Sequence, residues 1–289
     1  SKRLKQFLRL AVKKGAKVWR ASTDGDYIDT FMRIDRIFPC DTIFLADAMT
    51  SYDQVYLDDV DAYKERWEKA LLAAKRHAFD YEPSFSSMAA VKAFQAEYLA
   101  HSLGDTRECR LFYGNSMAIR LACIYARQYV HCNRGVNGIE GSLSTAAGLS
   151  IYLSEYHHPD AKSQQKVFCV LGDLSFFYDQ NALWNQNLNG SLRILLLNNG
   201  GGAIFAKFQG LKESAAREKL VMAEHCTSAC HICQAQNVDY QNADDMSSLH
   251  EGIDWLIHTE SDRPMLLEVL TDIETDNQVI EEYYNSFQI

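Results

Sequence analysis

Three observations predict an α/β fold with a doubly wound, mostly parallel sheet for the larger part of this chain. After residue 109, short apolar runs alternate with longer helical patterns. The runs are apolar on both faces, as strands are when helices cover both sides of a sheet. Four of them end in polar or glycine-rich clusters, where an open parallel sheet gathers its ligand-binding loops.

Taken in order, RLFYG precedes a helix expected over Met117 to Tyr129, and YVHCN, Tyr129 to Asn133, precedes one over Gly141 to Tyr156. VFCVLG, Val167 to Gly172, precedes a helix over Phe176 to Leu188, and ILLLN, Ile194 to Asn198, follows it. MLLEVL, Met265 to Leu270, comes after a helix over Ser247 to His258. The CRLFYG segment at Cys109 opens this regime, so a boundary is placed between a region 1–108 and a domain 109–289.

The first region is helix-rich and charged. Asp61 to His77 has the pattern of an exposed amphipathic helix, and Ser86 or Ser87 is suited to cap another that runs to about His101. KVWR, Lys17 to Arg20, and TIFLA, Thr42 to Ala46, read as short β or buried segments. Ser1 is followed at once by the helical spacing of Leu4, Phe7, Leu8 and Val12, as though the chain were part of a longer protein.

With 47% hydrophobic residues in 289, the chain is able to bury a substantial core. Lysine and arginine number 29 against 38 acidic residues, and the net charge of -9 argues against a nucleic-acid surface. No apolar run approaches the ~20 residues that span a bilayer, and no signal-peptide pattern opens the chain, so a cytoplasmic protein is expected. The eight cysteines fit buried thiols better than disulfides. Cys226, Cys230 and Cys233, with His225 and His231 nearby, have spacings that put the thiols on one helical stripe, which favours packing over a zinc site.

The four clusters are Gly114-Asn115-Ser116, Asn133-Arg134-Gly135, Gly172-Asp173 and Asn198-Asn199-Gly200-Gly201-Gly202. Glycines let a backbone approach a ligand closely, and helices expected to start at Ser116 and near Ser175 would aim free N–H groups at it. Asp173 and Asn199 offer hard oxygens, and Gly201 a carbonyl, which together suit a divalent cation bridging phosphates. Taken singly, an aspartate after a strand also reads as a helix cap, and Asn-Gly-Gly as a turn. Neither GxGxxG at the first strand–helix turn nor GxxxxGK[ST] is present, so a metal-held diphosphate is favoured over a dinucleotide fold or a P-loop.

GDLSFFYDQNALWNQNLNGSLRILLLNN, from Gly172 to Asn199, resembles the metal and diphosphate motif of thiamine-diphosphate enzymes. Within them, Leu174 at its third position, GNSMAIR at Gly114 to Arg120, NRGVNGIEGSLSTAAG at Asn133 to Gly148 and NNGGGAIF at Asn198 to Phe205 resemble the 2-succinyl-5-enolpyruvyl-6-hydroxy-3-cyclohexene-1-carboxylate synthases. The resemblance implies that this is the C-terminal portion of such an enzyme, with 1–108 part of its central domain and 109–289 its diphosphate-binding domain.

It further implies that Asp173, Asn199 and the Gly201 carbonyl bind magnesium, or manganese in its place, and that Gly172, Leu174, Ser175, Asn137, Gly138 and Ile139 line the thiamine diphosphate. Asn115, Ser116, Arg120, Arg134, Ile204 and Phe205 would face the substrates, 2-oxoglutarate and isochorismate. Arg120 lies about 6 Å along a helix from Ser116, and both arginines can fork a carboxylate. A solvated face or ion pair is the plainer reading of Arg120, as core packing is of Ile139, Ile204 and Phe205.

The glutamate that activates the cofactor belongs, in that family, to an N-terminal domain of the partner subunit. No catalytic residue is therefore assigned here, and the chain alone is expected to be inactive, though part of a dimer or tetramer when whole. A different thiamine-diphosphate lyase or decarboxylase, and a noncatalytic phosphate-binding module, are the competing readings.

Overall fold

A computed structural model describes residues 2–51, 58–104, 109–156, 165–207, 210 and 214–287. The chain divides into two units, 1–69 and 70–289, so the boundary expected at 108/109 falls inside the second. What moves it is the packing of helix α4 (Ser87–Gly104), whose Met88, Val91 and Phe94 are buried in the core beneath the sheet.

The first unit contains α1 (Lys2–Lys13), strands β1 (Trp19–Ala21) and β2 (Arg36–Phe38), α2 (Thr42–Thr50) and the start of α3 (Asp58–Asp80). The two strands pair in parallel, Trp19 beside Arg36 and Ala21 beside Phe38. TIFLA is helix and not strand: Asp41 accepts the Ile43 N–H at 2.7 Å and caps α2, while Ile43 and Phe44 are exposed. A short apolar run carries no periodicity to separate the two outcomes, and the cap decides.

In the second unit the elements after α4 are β3 (Arg110–Tyr113), α5 (Met117–Tyr125), α6 (Ser142–Tyr156), β4 (Val167–Gly172), α7 (Asp173–Asp179), β5 (Leu192–Asn198), α8 (Cys230–Ala235), β6 (Asp239–Ala243), α9 (Met246–His258), β7 (Met265–Leu270) and α10 (Ile273–Asn285). Five strands form one parallel sheet in the order β3-β4-β5-β7-β6.

Strand side chains alternate between faces, and the core divides accordingly. Phe168, Val170, Leu195, Leu197, Leu267 and Val269 pack on one face with residues of α4, α5, α9 and α10. Val167, Cys169, Leu171, Ile194, Leu196 and Leu266 pack on the other with Leu143 and Ala147 of α6, Phe176 of α7 and Cys233 of α8. Helices on both faces of a parallel sheet are the doubly wound arrangement expected.

Other elements also depart from expectation, and the helix expected over Met117 to Tyr129 ends at Tyr125. YVHCN contributes a single bridge, His131 beside Phe112, in place of a strand. The helix after β4 begins at Asp173 and ends at Asp179, whose φ of -123° leaves the helical region, and a 3-10 turn at Gln180–Trp184 follows. Strand β6, DYQNA, went unpredicted because it is an edge strand with Gln241 and Asn242 exposed, so it lacks the apolar signal of the central strands. Among the described residues no helix is long and apolar enough to cross a membrane.

Candidate functional site

Because all five strands are parallel, the loops following β3, β4, β5 and β7 emerge along one edge of the sheet. At the end of β4, Gly172 is extended and Asp173 opens α7 with only 3% of its surface exposed. One carboxylate oxygen of Asp173 accepts the Leu174 N–H at 2.6 Å, and the other accepts the Gly201 N–H at 2.8 Å. The end of β4 is thereby tied to the loop after β5. Ser175 is buried in the same first turn.

The glycine loop needs its glycines. Gly200 has φ of +80° and Gly201 of +150°, and a Cβ on Gly201 would lie 2.8 Å from the carbonyl oxygen of Met222. That carbonyl accepts the Gly202 N–H at 2.7 Å, and the His225 N–H donates to the Gly200 carbonyl at 3.0 Å, so the loop lies flat on segment 222–225. His225 Nδ1 accepts the Thr227 N–H at 3.1 Å, which leaves the ring proton on Nε2, 3.3 Å from Asp173. Contact with this carboxylate raises the His225 pKa, against the opposing effect of burial.

Asn198 and Asn199 face different partners. Asn198 donates to Glu268 of β7 at 2.7 Å and to the Thr227 carbonyl at 2.9 Å. Asn199 donates from Nδ2 to Asp276 of α10 at 2.7 Å. Burial raises the Asp276 pKa, while donors from Ser87 and Asn199 oppose the shift.

At the end of β3, Gly114 donates to the Val170 carbonyl at 2.8 Å, and a Cβ there would press within 3.0 Å of Leu171. Buried Asn115 donates to the carbonyls of Asn133, at 3.0 Å, and Gly138, and accepts from Nη1 of Arg134 at 3.0 Å. It thus clamps the 133–138 loop against the strand end. Ser116 holds φ of +71° without using its hydroxyl to cap α5, and Asn137 holds +60°. Such backbone costs about 1–3 kcal/mol per residue and gathers at functional sites.

The structure therefore links Asp173, Leu174 and Gly201 to one another, and Asn115, Arg134 and Gly138 to one another. Arg120 is exposed on α5, Ile139 and Ile204 are half-buried, and Phe205 is exposed. Sequence reading missed His225 as a neighbour of Asp173, together with Asp276, Ser87 and Glu268. None of these stands at a strand end beside a glycine, the pattern that marked the others.

Asp173 brings a carboxylate, Asn199 an amide oxygen opposite a nitrogen already committed to Asp276, and Gly201 a carbonyl that also accepts the Ala203 N–H at 3.0 Å. This is an all-oxygen donor set of the kind that magnesium and manganese take, so the residues fit a metal-held diphosphate.

The cysteine segment has a different character. α8 begins at Cys230, which leaves Cys226 outside the helix and exposed; Cys233 is buried, and burial pushes its thiol up to about 12. Among the described residues, the one group of metal-ligating His, Cys, Asp and Glu side chains is Glu97, Asp254 and His258, away from these thiols.

No family model matches the chain. Among curated proteins, 2-succinyl-5-enolpyruvyl-6-hydroxy-3-cyclohexene-1-carboxylate synthase of Bacteroides thetaiotaomicron is 35% identical over 293 residues, covering 100% of this chain and 48% of its own length. The protein of the same name from Bacteroides fragilis is 34% identical over 295 residues, with the same coverage. That of Flavobacterium johnsoniae is 31% identical over 291 residues, covering 98% of this chain and 48% of itself.

The crystal structure of benzoylformate decarboxylase from Polynucleobacter necessarius superposes with a TM-score of 0.51 at 12% identity, over 65% of this chain and 33% of that one, a likeness of fold alone. The chain spans about half the length of the curated relatives it matches. On this sequence relation along its whole length, the chain belongs to the 2-succinyl-5-enolpyruvyl-6-hydroxy-3-cyclohexene-1-carboxylate synthase family.

Proposed function

We propose that this chain is the diphosphate-holding half of a thiamine-diphosphate-dependent synthase that decarboxylates 2-oxoglutarate and joins the remaining four-carbon unit to isochorismate, a step in menaquinone biosynthesis. The observation that carries the reading is the junction of Asp173 with the Gly201 N–H across the ends of β4 and β5, with Asn199 beside it. A carboxylate, an amide and a glycine carbonyl gathered at one strand edge support a metal-held diphosphate there.

Asp173, Asn199 and the Gly201 carbonyl would hold magnesium or manganese. Gly172, Leu174, Ser175 and the Asn137–Ile139 stretch would line the cofactor. When bound, thiamine diphosphate supplies the carbanion equivalent that decarboxylation and carbon–carbon bond formation need.

Arg120 and Arg134 would take the carboxylates of the two substrates, each through a planar pair of donors. Arg134 is already steadied by Asn115, so less of its side-chain freedom is lost when a carboxylate arrives. Ser116 would present backbone N–H at the helix start, and Ile204 and Phe205 would wall the pocket. The base that activates the cofactor would come from a pyrimidine-binding domain in a partner subunit of a cytoplasmic homo-oligomer. Residues 1–108 would belong to the central domain.

The test is calorimetric titration of thiamine diphosphate into the chain, with and without magnesium, beside an Asp173→Ala variant. Binding that requires magnesium and disappears in the variant supports the reading. Binding of equal strength in both proteins, or none in the wild type, overturns it.

A further inference from the structure

Asp276 is 3% exposed, and its carboxylate is surrounded by donors. One oxygen accepts the Ser87 N–H at the start of α4 at 2.7 Å. The other accepts the Ser87 hydroxyl at 2.6 Å, Nδ2 of Asn199 at 2.7 Å and, more loosely, the Thr271 hydroxyl at 3.4 Å. An ionised carboxylate only accepts, so the one end of the Asn199 amide able to face it is the nitrogen. The amide oxygen is then turned the other way, and Asn199 makes no other side-chain hydrogen bond among the described residues.

We infer that Asp276 is a positioning residue for the divalent metal: by holding the Asn199 nitrogen it fixes which end of that amide the metal meets. This rests on the metal-diphosphate reading above and adds a residue to it from α10, 77 positions along the chain. Asp276 would act through Asn199 and not as a ligand itself. An amide free to rotate would present its NH2 group about as often as its oxygen, and an NH2 group repels a cation. Groups behind a metal ligand that set its orientation typically change metal affinity 10–100-fold when altered.

The geometry specifies a swap. In Asp276→Asn the new amide must keep its oxygen on the Ser87 N–H, which places its NH2 group opposite Asn199. Two NH2 groups cannot face each other, so Asn199 turns over and offers its nitrogen to the metal. Adding Asn199→Asp to Asp276→Asn reverses the pair: the carboxylate now at position 199 accepts from the amide at position 276 and keeps its second oxygen toward the metal. The number of carboxylates is unchanged. Ser87→Ala removes one donor to Asp276 without touching Asn199 and serves as the control for a purely structural role.

The experiment titrates Mn2+ into each protein with thiamine diphosphate present and reads free Mn2+ by electron paramagnetic resonance, alongside a thermal melt. Mn2+ affinity should fall about 10–100-fold in Asp276→Asn, return to within a few-fold of wild type in the double variant, and stay at the wild-type value in Ser87→Ala even where the melt drops. Wild-type affinity in Asp276→Asn, or a double variant no better than the single, overturns the inference while leaving the metal site itself intact. A fall in Ser87→Ala equal to that in Asp276→Asn also overturns it, as a stability effect. Failure of the wild-type chain to bind Mn2+ overturns the metal-diphosphate reading and this inference with it.

Discussion

The glycine loop permits a graded prediction, because three adjacent glycines are demanded to different degrees. At Gly201, φ of +150° lies where essentially only glycine is found, at roughly 1–3 kcal/mol for another residue. A Cβ there also meets the Met222 carbonyl at 2.8 Å, and pushing that carbonyl away weakens its bond with the Gly202 N–H, about 1 kcal/mol more. Gly201→Ala should therefore cost about 2–4 kcal/mol. At Gly200, φ of +80° is left-handed and the nearest atom, the His225 carbonyl oxygen, is 3.1 Å away, so alanine should cost about 1–2 kcal/mol. At Gly202 the closest atom is the Phe205 ring at 2.9 Å, on a side chain exposed enough to move aside. Reduced freedom of the unfolded chain returns about 0.4–1 kcal/mol, leaving Gly202→Ala close to neutral. Urea unfolding followed by far-ultraviolet circular dichroism gives the three values. A Gly202→Ala loss equal to that of Gly201→Ala would refute the argument, since it would mean that the loop does not lie on segment 222–225 as described.

Two further outcomes follow from other parts of the molecule. Asp272 caps α10 through the Thr275 N–H at 2.8 Å and hydroxyl at 2.6 Å, and these bonds, the hydroxyl's first, lower its pKa below the ordinary 3.8. A lowered folded pKa means that the stabilisation is complete above 3.8 and is lost as the pH falls through the folded value. Asp272→Ala should thus lose about 1 kcal/mol at pH 7, with added salt trimming the electrostatic part at this exposed site and the gap to wild type closing only below pH 3.8; a gap widening toward acid would contradict this. Among the thiols, exposed Cys123 and Cys226 should react first with a disulfide reagent and buried Cys169 and Cys233 only on unfolding. Zinc should leave the Cys226 rate unchanged, and joint protection of Cys226, Cys230 and Cys233 by zinc would restore a metal site there.

What the sequence disclosed, it disclosed through burial. VFCVLG and MLLEVL were legible with correct bounds because strands covered on both faces read as nearly continuous apolar runs, which the single buried Glu268 of MLLEVL does not break, and their ends were legible because polarity returns there abruptly. Where burial is one-sided or absent the signal fails. YVHCN is apolar enough to suggest a strand, yet only His131 pairs, because Tyr129 is exposed and the chain must turn to bring Asn133 and Arg134 onto Asn115. TIFLA is apolar and nevertheless exposed, so hydrophobicity misreported its environment. The placement of α4 was hidden for another reason: a sequence boundary is drawn where the pattern changes, whereas the structural one depends on which surface a helix finally covers.

The candidate site was half legible for a related cause. Asp173, Asn199 and Gly201 are marked by type and by position after a strand, but the groups that hold them come from elsewhere: Asp276 is 189 positions from Ser87 and 77 from Asn199. Nothing local announces such a partner; it follows from the register in which α10 packs. The adjoining asparagines illustrate the point. In sequence Asn198 and Asn199 are equivalent, yet successive residues of an extended chain face opposite ways, and each meets its own buried carboxylate. Asn198 gives both amide hydrogens inward, to Glu268 and to the Thr227 carbonyl, and Glu268 also accepts from Ser228, the Ala229 N–H and Tyr240. That cluster fixes the segment entering α8, and with it the strip on which the glycine loop lies. Asn199 donates through its amide nitrogen to Asp276 alone among the described residues. The two side chains thus take different partners at one strand end, Asn198 bracing the loop through Glu268 and Asn199 held by Asp276, and the division is made by the carboxylates behind them.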